Sequence, residues 1–228
     1  MSDDYGLWPL VVLNSAILIV FALSFTRPKT RQEWTAMGAF SAFIVALFTE
    51  MYGLPLTVYL LSGWLGNRFP ALTATHAGGH LWNDLIGWKW DPHLSPFHFA
   101  SYALIGFGIW LIVTAWGVLW RVRRSGRLAA TGPYASVRHP QYVGFLLVMA
   151  GFLLQWPTIP TLLMFPILVW VYRRLSLSEE RVVRAEFGSA WDAYAKRTPR
   201  FVPRIQTPAA QRGVGHDHCQ LERKEDGR

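Results

Sequence analysis

Uncharged stretches of helix length alternate with clusters of basic residues along this chain. Leu7 to Phe25 carries no charge and has about the 20 residues that one transmembrane helix needs. Arg27, Lys29 and Arg31 follow at once. By the positive-inside rule that end is cytoplasmic and the N-terminus is outside. Asp3 and Asp4 precede the run, where a secretory signal would carry basic residues, so it reads as a retained span. Met37 to Leu61 forms a second apolar stretch with one charge, Glu50, near its middle, and Gly53 and Pro55 should kink it. Phe99 to Trp120 is a third, uncharged, closed by Arg121, Arg123, Arg124 and Arg127. Gly106 and Gly108 offer it close helix contact.

The run from Gln141 to Tyr172 is also uncharged, but one helix over residues 142–172 would be about 46 Å long, well beyond the hydrocarbon core. Trp156-Pro157-Thr158-Ile159-Pro160 supplies turn chemistry at its midpoint. A hairpin there also keeps both basic flanks, Arg121–Arg138 and Arg173–Arg184, on one side. The expected fold is therefore all-α: an integral membrane bundle of five transmembrane helices, multi-pass, with the N-terminus outside and the C-terminus cytoplasmic. Arg173 to Tyr194 should be a cytoplasmic amphipathic helix, with Val182, Val183, Phe187 and Trp191 at roughly helical spacing and Gly188 as an interruption.

Composition sharpens this picture. Hydrophobic residues make up 52% of the chain and charged residues 16%, and the charges avoid the long windows above. The net charge of +8 sits at the ends of apolar runs. It therefore points to topology and contact with membrane lipids, not to nucleic acid. A single cysteine, Cys219, excludes an intrachain disulfide. Three regions follow: spans 1–120 with an external His/Trp-rich loop at 62–97, a region 121–203, and a polar tail 204–228 expected to be disordered.

The external loop holds His76, His80, His93 and His98 with Asp84 and Asp91. His76, His80 and Asp84 are spaced four apart and could share one helical face. Gly78-Gly79 lies between the two histidines and no HExxH pattern accompanies them, so no metal is assigned. Glu50 is an ionisable group at membrane depth, either a functional residue or a packing anchor.

Two polar clusters flank the hairpin. One runs from Thr131-Gly132-Pro133-Tyr134 to Arg138-His139-Pro140-Gln141-Tyr142-Val143-Gly144. The other comprises Glu179-Glu180, Phe187-Gly188, Tyr194 and Pro199 to Pro203. A hairpin brings both to the same membrane face, as two halves of one binding site. In order and spacing these pieces resemble the isoprenylcysteine carboxyl methyltransferase and phospholipid methyltransferase superfamily, integral membrane enzymes that use S-adenosylmethionine. The resemblance implies an S-adenosylmethionine site residue by residue. Gly126, Arg127, Leu128, Ala129 and Tyr134 would form one wall, His139, Pro140, Gln141 and Tyr142 a second, with Glu179 and Glu180 reaching in from the tail helix, which completes the cofactor site. Arg138 and Glu179 are the expected catalytic pair, and Arg174 and Glu50 the expected substrate contacts. Leu175 stands where the prenylcysteine branch has a substrate-holding arginine, with Arg173 and Arg174 beside it, so that contact does not carry over.

The residue types suit such a cofactor independently. A carboxylate can accept hydrogen bonds from a ribose or an ammonium, Arg138 can pair a carboxylate, and tyrosine rings can pack on an adenine or face a cation. The function expected is methyl transfer to a lipophilic or small-molecule acceptor. The alternative is a non-enzymatic membrane protein of metal handling or transport that uses Glu50 and the external histidines.

Overall fold

The structure is a computed structural model. It describes residues 5–25, 31–65, 79–123 and 125–204. The described residues form helices and connecting turns, with no strand among them. In chain order the helices are α1 (Trp8–Phe25), α2 (Arg31–Phe48), α3 (Leu56–Leu65), α4 (Leu81–Leu85), α5 (Pro96–Arg123), α6 (Pro133–Ser136), α7 (Pro140–Gln155), α8 (Ile159–Phe187) and α9 (Ser189–Arg197). A π-helical turn, Thr49–Gly53, extends α2, and a 3₁₀ turn, Pro92–Leu94, precedes α5. His76, expected on one helical face with His80 and Asp84, and the tail beyond residue 204, expected to be disordered, lie outside the described residues.

Arg31–Gly53 and Pro96–Val122 are long and apolar enough to cross a membrane, and Trp8–Ser24 and Pro140–Gln155 are shorter apolar helices. Many of their outward side chains are large and apolar, among them Leu13, Val20, Phe107 and Trp110, as lipid contact requires.

The second apolar stretch differs from the expected single kinked span. It stops at the π turn, and Leu54-Pro55 separates it from α3. The break has a physical cause: Pro55 has no N–H to continue the helix. Glu50, buried in that turn, accepts the Thr57 N–H at 3.0 Å and so caps the first turn of α3. The π turn is held in place by α1, whose Leu7 N–H donates to the Tyr52 carbonyl at 2.7 Å.

The hairpin turns at Trp156-Pro157-Thr158. Thr158 caps α8, and its side chain and that of Thr161 form a reciprocal capping box. The Ile159 N–H donates to Thr57 Oγ1 at 2.9 Å, which ties α3 to the turn. From there α8 runs without a break through the expected membrane boundary to Phe187. The fifth apolar stretch and the tail helix are thus one 29-residue helix. Gly188 ends it at φ +52, a conformation that costs glycine little, and the chain folds back as α9.

Helices α5 and α7 cross at van der Waals contact through glycines. A Cβ on Gly144 would lie 2.5 Å from Ile112 Cγ1 and 2.8 Å from the Gly108 carbonyl oxygen. A Cβ on Gly151 would lie 2.7 Å from Ile105 Cγ1. Small residues that let backbones approach are the means by which apolar helices associate where water supplies no driving force. Gly108 fulfils the expected role, but a Cβ on Gly106 meets nothing within 4 Å. Behind this pair, α2, α7 and α8 share a core of Phe43, Ile44, Leu47, Phe145, Met149 and Tyr172, and the Tyr172 hydroxyl donates to the Ala36 carbonyl at 3.1 Å. This packing fixes the N-terminal end of α7 against the middle of α8, where the two polar clusters meet.

Candidate functional site

The N-terminal cluster is shaped by its prolines and by the segment that returns after α9. Pro133 and Pro140 occupy the first positions of α6 and α7, where a missing N–H costs nothing. Between them the backbone is extended at Val137. The Arg138 N–H donates to the Pro199 carbonyl at 2.8 Å, and the His139 N–H donates to the Arg200 carbonyl at 3.2 Å. The Pro199–Pro203 motif is therefore a backbone partner for Arg138-His139, which its sequence alone does not reveal.

Glu180 is the charged hub. Arg200 donates to it bidentately, Nε to Oε1 at 2.8 Å and Nη2 to Oε2 at 2.7 Å. His139 Nε2 donates to Oε1 at 3.1 Å, and Arg138 Nε lies 3.2 Å from the same oxygen. Burial by itself would raise the Glu180 carboxyl, but the Arg200 and His139 hydrogen bonds and the Arg138 charge outweigh it and hold it at about 2. Burial likewise would lower the His139 imidazole, but its hydrogen bonds to the Glu179 and Glu180 carboxylates, and their charge, raise it. Arg138 also donates through Nη1 to the Ala195 carbonyl at 3.0 Å and lies over the Trp191 ring, 5.7 Å from its centre. These contacts clamp α7, α8 and α9 together.

Glu179, one residue earlier on α8, is placed differently. The Tyr142 hydroxyl donates to its Oε1, and Oε2 lies 3.4 Å from His139 Nδ1. The His139, Tyr142 and Tyr172 rings stack in series, with centroids 5.6 and 5.2 Å apart. The Tyr134 hydroxyl donates to Gln141 Oε1 at 2.9 Å, and its carbonyl accepts the Tyr194 hydroxyl at 2.7 Å. Burial, then the Glu179 charge, push the Tyr134 hydroxyl well above its ordinary range. Burial likewise pushes Tyr194 up to about 12.

Around these groups lies a cavity of about 390 Å³, lined by Gly126, Arg127, Leu128, Ala129, Tyr134, Arg138, His139, Gln141, Glu179 and Glu180. Pockets of this size hold small molecules and cofactors. Of the residues anticipated for a cofactor, Pro140 and Tyr142 do not line it. Pro140 is buried at the start of α7, and Tyr142 reaches the cavity only through Glu179. Of the anticipated substrate contacts, Glu50 is engaged with Thr57 and Arg174 lies over the Trp170 ring, and neither lines the cavity. Glu33, Leu119, Val122, Val183, Glu186, Phe187, Trp191 and Tyr194 complete the lining. Phe187 and Tyr194 belong to the second sequence cluster, and the helical spacing of Val183, Phe187 and Trp191 is the signal for the other two of that face.

A second, apolar cavity of about 850 Å³ lies on the neighbouring face of α5, lined by Phe107, Trp110, Leu111, Val118, Val137 and Val143 among others. Val118, which lines it, packs against Tyr134, which lines the first.

Residues 96–190 match the phospholipid methyltransferase family model, and this segment supplies α5, α7, α8 and most of the cavity lining. That segment is similar to the phospholipid methyltransferase family, in keeping with the superfamily resemblance of its sequence motifs. Three relatives are similar to the chain. A protein-S-isoprenylcysteine O-methyltransferase of Schizosaccharomyces pombe is 32% identical over 80 residues, 34% of this chain and 34% of that protein. The nickel-cobalt-cadmium resistance protein NccN of Alcaligenes xylosoxydans xylosoxydans is 29% identical over 120 residues, 51% of this chain and 55% of that protein. Methanethiol S-methyltransferase 2 of Bradyrhizobium diazoefficiens is 28% identical over 204 residues, 86% of this chain and 74% of that protein. The chain thus spans about a third and about a half of the first two relatives. No solved structure matches it. Pro199 and Arg200, whose carbonyls accept the Arg138 and His139 N–H groups, lie beyond the segment that matches the family model.

Proposed function

We propose that this chain is an integral membrane methyltransferase that uses S-adenosylmethionine and acts on a lipophilic or small-molecule acceptor. The observation that carries the reading is the chemistry of the 390 Å³ cavity. Glu33, Glu179, Glu180 and Glu186 ring it with carboxylates, Tyr134, Trp191 and Tyr194 with aromatic faces, and Arg127 stands at its margin. That set suits a ligand with a sulfonium, an ammonium, a ribose and a carboxylate. Glu180 is spent on Arg138, His139 and Arg200, which makes it a positioning residue. Glu179 is offered to the ligand as a carboxylate held in place by the Tyr142 hydroxyl. S-adenosylmethionine, when bound, supplies an activated methyl group. The protein binds it, aligns the acceptor and excludes water. A thiolate or carboxylate acceptor needs no base from the protein.

The 850 Å³ cavity has apolar walls and lies across the Val118–Tyr134 packing from the cofactor cavity, which favours an acceptor drawn from the bilayer. The five spans of this reading are α1, the α2 span, α5, α7 and the apolar half of α8, with the N-terminus outside and both cavities toward the cytoplasmic side. The metal-handling alternative draws on the similarity to the nickel-cobalt-cadmium resistance protein. It loses one support, because Glu50 already accepts the Thr57 N–H.

Isothermal titration of the detergent-solubilised, folded chain with S-adenosylhomocysteine tests the proposal. Saturable 1:1 binding is expected, and folded protein that shows none would overturn it.

A further inference from the structure

At the opposite end of α7, about 24 Å away along its 16 residues, three histidines converge from three elements. His80 precedes α4, His93 sits in the 3₁₀ turn and His98 in the first turn of α5. One ring nitrogen from each lies within 4.8 Å of those of the others. Their ring centroids form a nearly equilateral triangle of 5.2, 4.9 and 5.1 Å. In a tetrahedral site with metal–nitrogen bonds of about 2.0–2.1 Å, imidazole centres lie about 5 Å apart and nitrogens about 3.3 Å apart. The centroids already meet that spacing, and small side-chain rotations bring in the nitrogens.

We propose that His80, His93 and His98 bind one divalent transition-metal ion of the zinc type. Two of the rings are fixed as metal-binding imidazoles usually are, by a hydrogen bond on the other nitrogen. His80 Nδ1 lies 3.3 Å from the Gln155 carbonyl, and His98 Nδ1 lies 3.3 Å from Ser95 Oγ. His98 is 1% exposed, and its Nε2 has no hydrogen-bond partner among the described residues. A buried, unpaired ring nitrogen is costly, and a metal bond removes the cost. A proton on one ring would instead face two more imidazoles. Trp156 packs edge-on against His80 at 4.7 Å and shields the cluster, while half-buried His93 leaves the ion a way in. Imidazole donors suit zinc, nickel and copper better than magnesium or calcium. With three protein ligands the fourth position is open to water. The ion would tie α4, the 3₁₀ turn and α5 over the end of α7.

The site is tested on the full chain, purified without a histidine tag and carrying His216→Ala, His218→Ala and Cys219→Ser to silence the tail. One equivalent of zinc should survive desalting, measured by mass spectrometry of the metal. His93→Ala with His98→Ala should weaken zinc binding at least about a hundredfold, since loss of an outer partner alone costs 10- to 100-fold. Cobalt(II) added to the chain with its triad intact should give the intense visible absorption of tetrahedral coordination. That measurement stands even if the double variant fails to fold. Zinc binding unchanged in the folded variant, or no stoichiometric zinc and no cobalt band with the triad intact, would overturn the site. Titration with S-adenosylhomocysteine reads the other end of α7, so either reading can fail without the other.

Discussion

Replacing Glu180 by Gln should destabilise the fold by about 2–3 kcal/mol. The substitution keeps the side chain's volume and removes the charge that Arg138, His139 and Arg200 share. Two arguments set the size. Removing one partner of a buried ion pair costs about 3–5 kcal/mol. Separately, a carboxyl held at about 2, against 4.5 ordinarily, corresponds to roughly 3 kcal/mol. The Glu180 side chain is 13% exposed and that of Arg200 28%, so solvent screening trims both figures. In thermal unfolding in detergent the loss should appear as a fall in Tm of about 5–10 °C. The pH dependence has a definite sign. Because the folded-state value is depressed, the stabilisation is fully present above pH 4.5 and is lost as pH falls toward 2. The Tm difference between the unmodified chain and Glu180→Gln should therefore be constant near neutrality and shrink below pH 4.5. Arg200→Ala should cost a similar amount, and the double variant clearly less than the sum. A Tm within 2 °C of the unmodified chain for Glu180→Gln (roughly the scale of less than 1 kcal/mol), or full additivity with Arg200→Ala, would refute the hub.

Glu179→Ala should weaken S-adenosylhomocysteine binding tenfold to a hundredfold in a calorimetric titration, for a loss of about 1.5–3 kcal/mol; unchanged affinity would remove Glu179 from the site. Gly144→Ala should lower Tm, because a Cβ there meets backbone and Ile112 at 2.8 and 2.5 Å and overpacking costs about 1–3 kcal/mol, whereas Gly106→Ala should leave Tm unchanged or slightly raised. On intact cells, with Cys219 replaced, Trp90→Cys should react with an impermeant thiol reagent, and Ser125→Cys and Arg181→Cys should not. Trp90 is 79% exposed and reports the turn end of the hairpin better than Thr158, which is wholly buried; labelling at position 181 from outside would reverse the proposed orientation.

The sequence alone determined the features that depend on local composition. Charge-free runs, proline positions and basic flanks located α1, α5 and the α7–α8 hairpin to within a few residues. The Arg138–Gly144 and Glu179-Glu180 motifs contain Arg138, His139, Gln141, Glu179 and Glu180, which line the first cavity. Tertiary structure decided what depends on direction and on pairing across the chain. Glu179 and Glu180 are identical in type and adjacent in sequence. Successive positions on a helix point about 100° apart, so one carboxylate meets Tyr142 and the other meets Arg200, His139 and Arg138. Glu50 read as a membrane carboxylate in search of a function, and became the cap of α3 only because Pro55 breaks the helix where Thr57 can reach back. The His76–His80–Asp84 spacing pointed to one helical face, but the ring nitrogens that meet are those of His80, His93 and His98. Three separate elements deliver them, and no local period encodes that meeting.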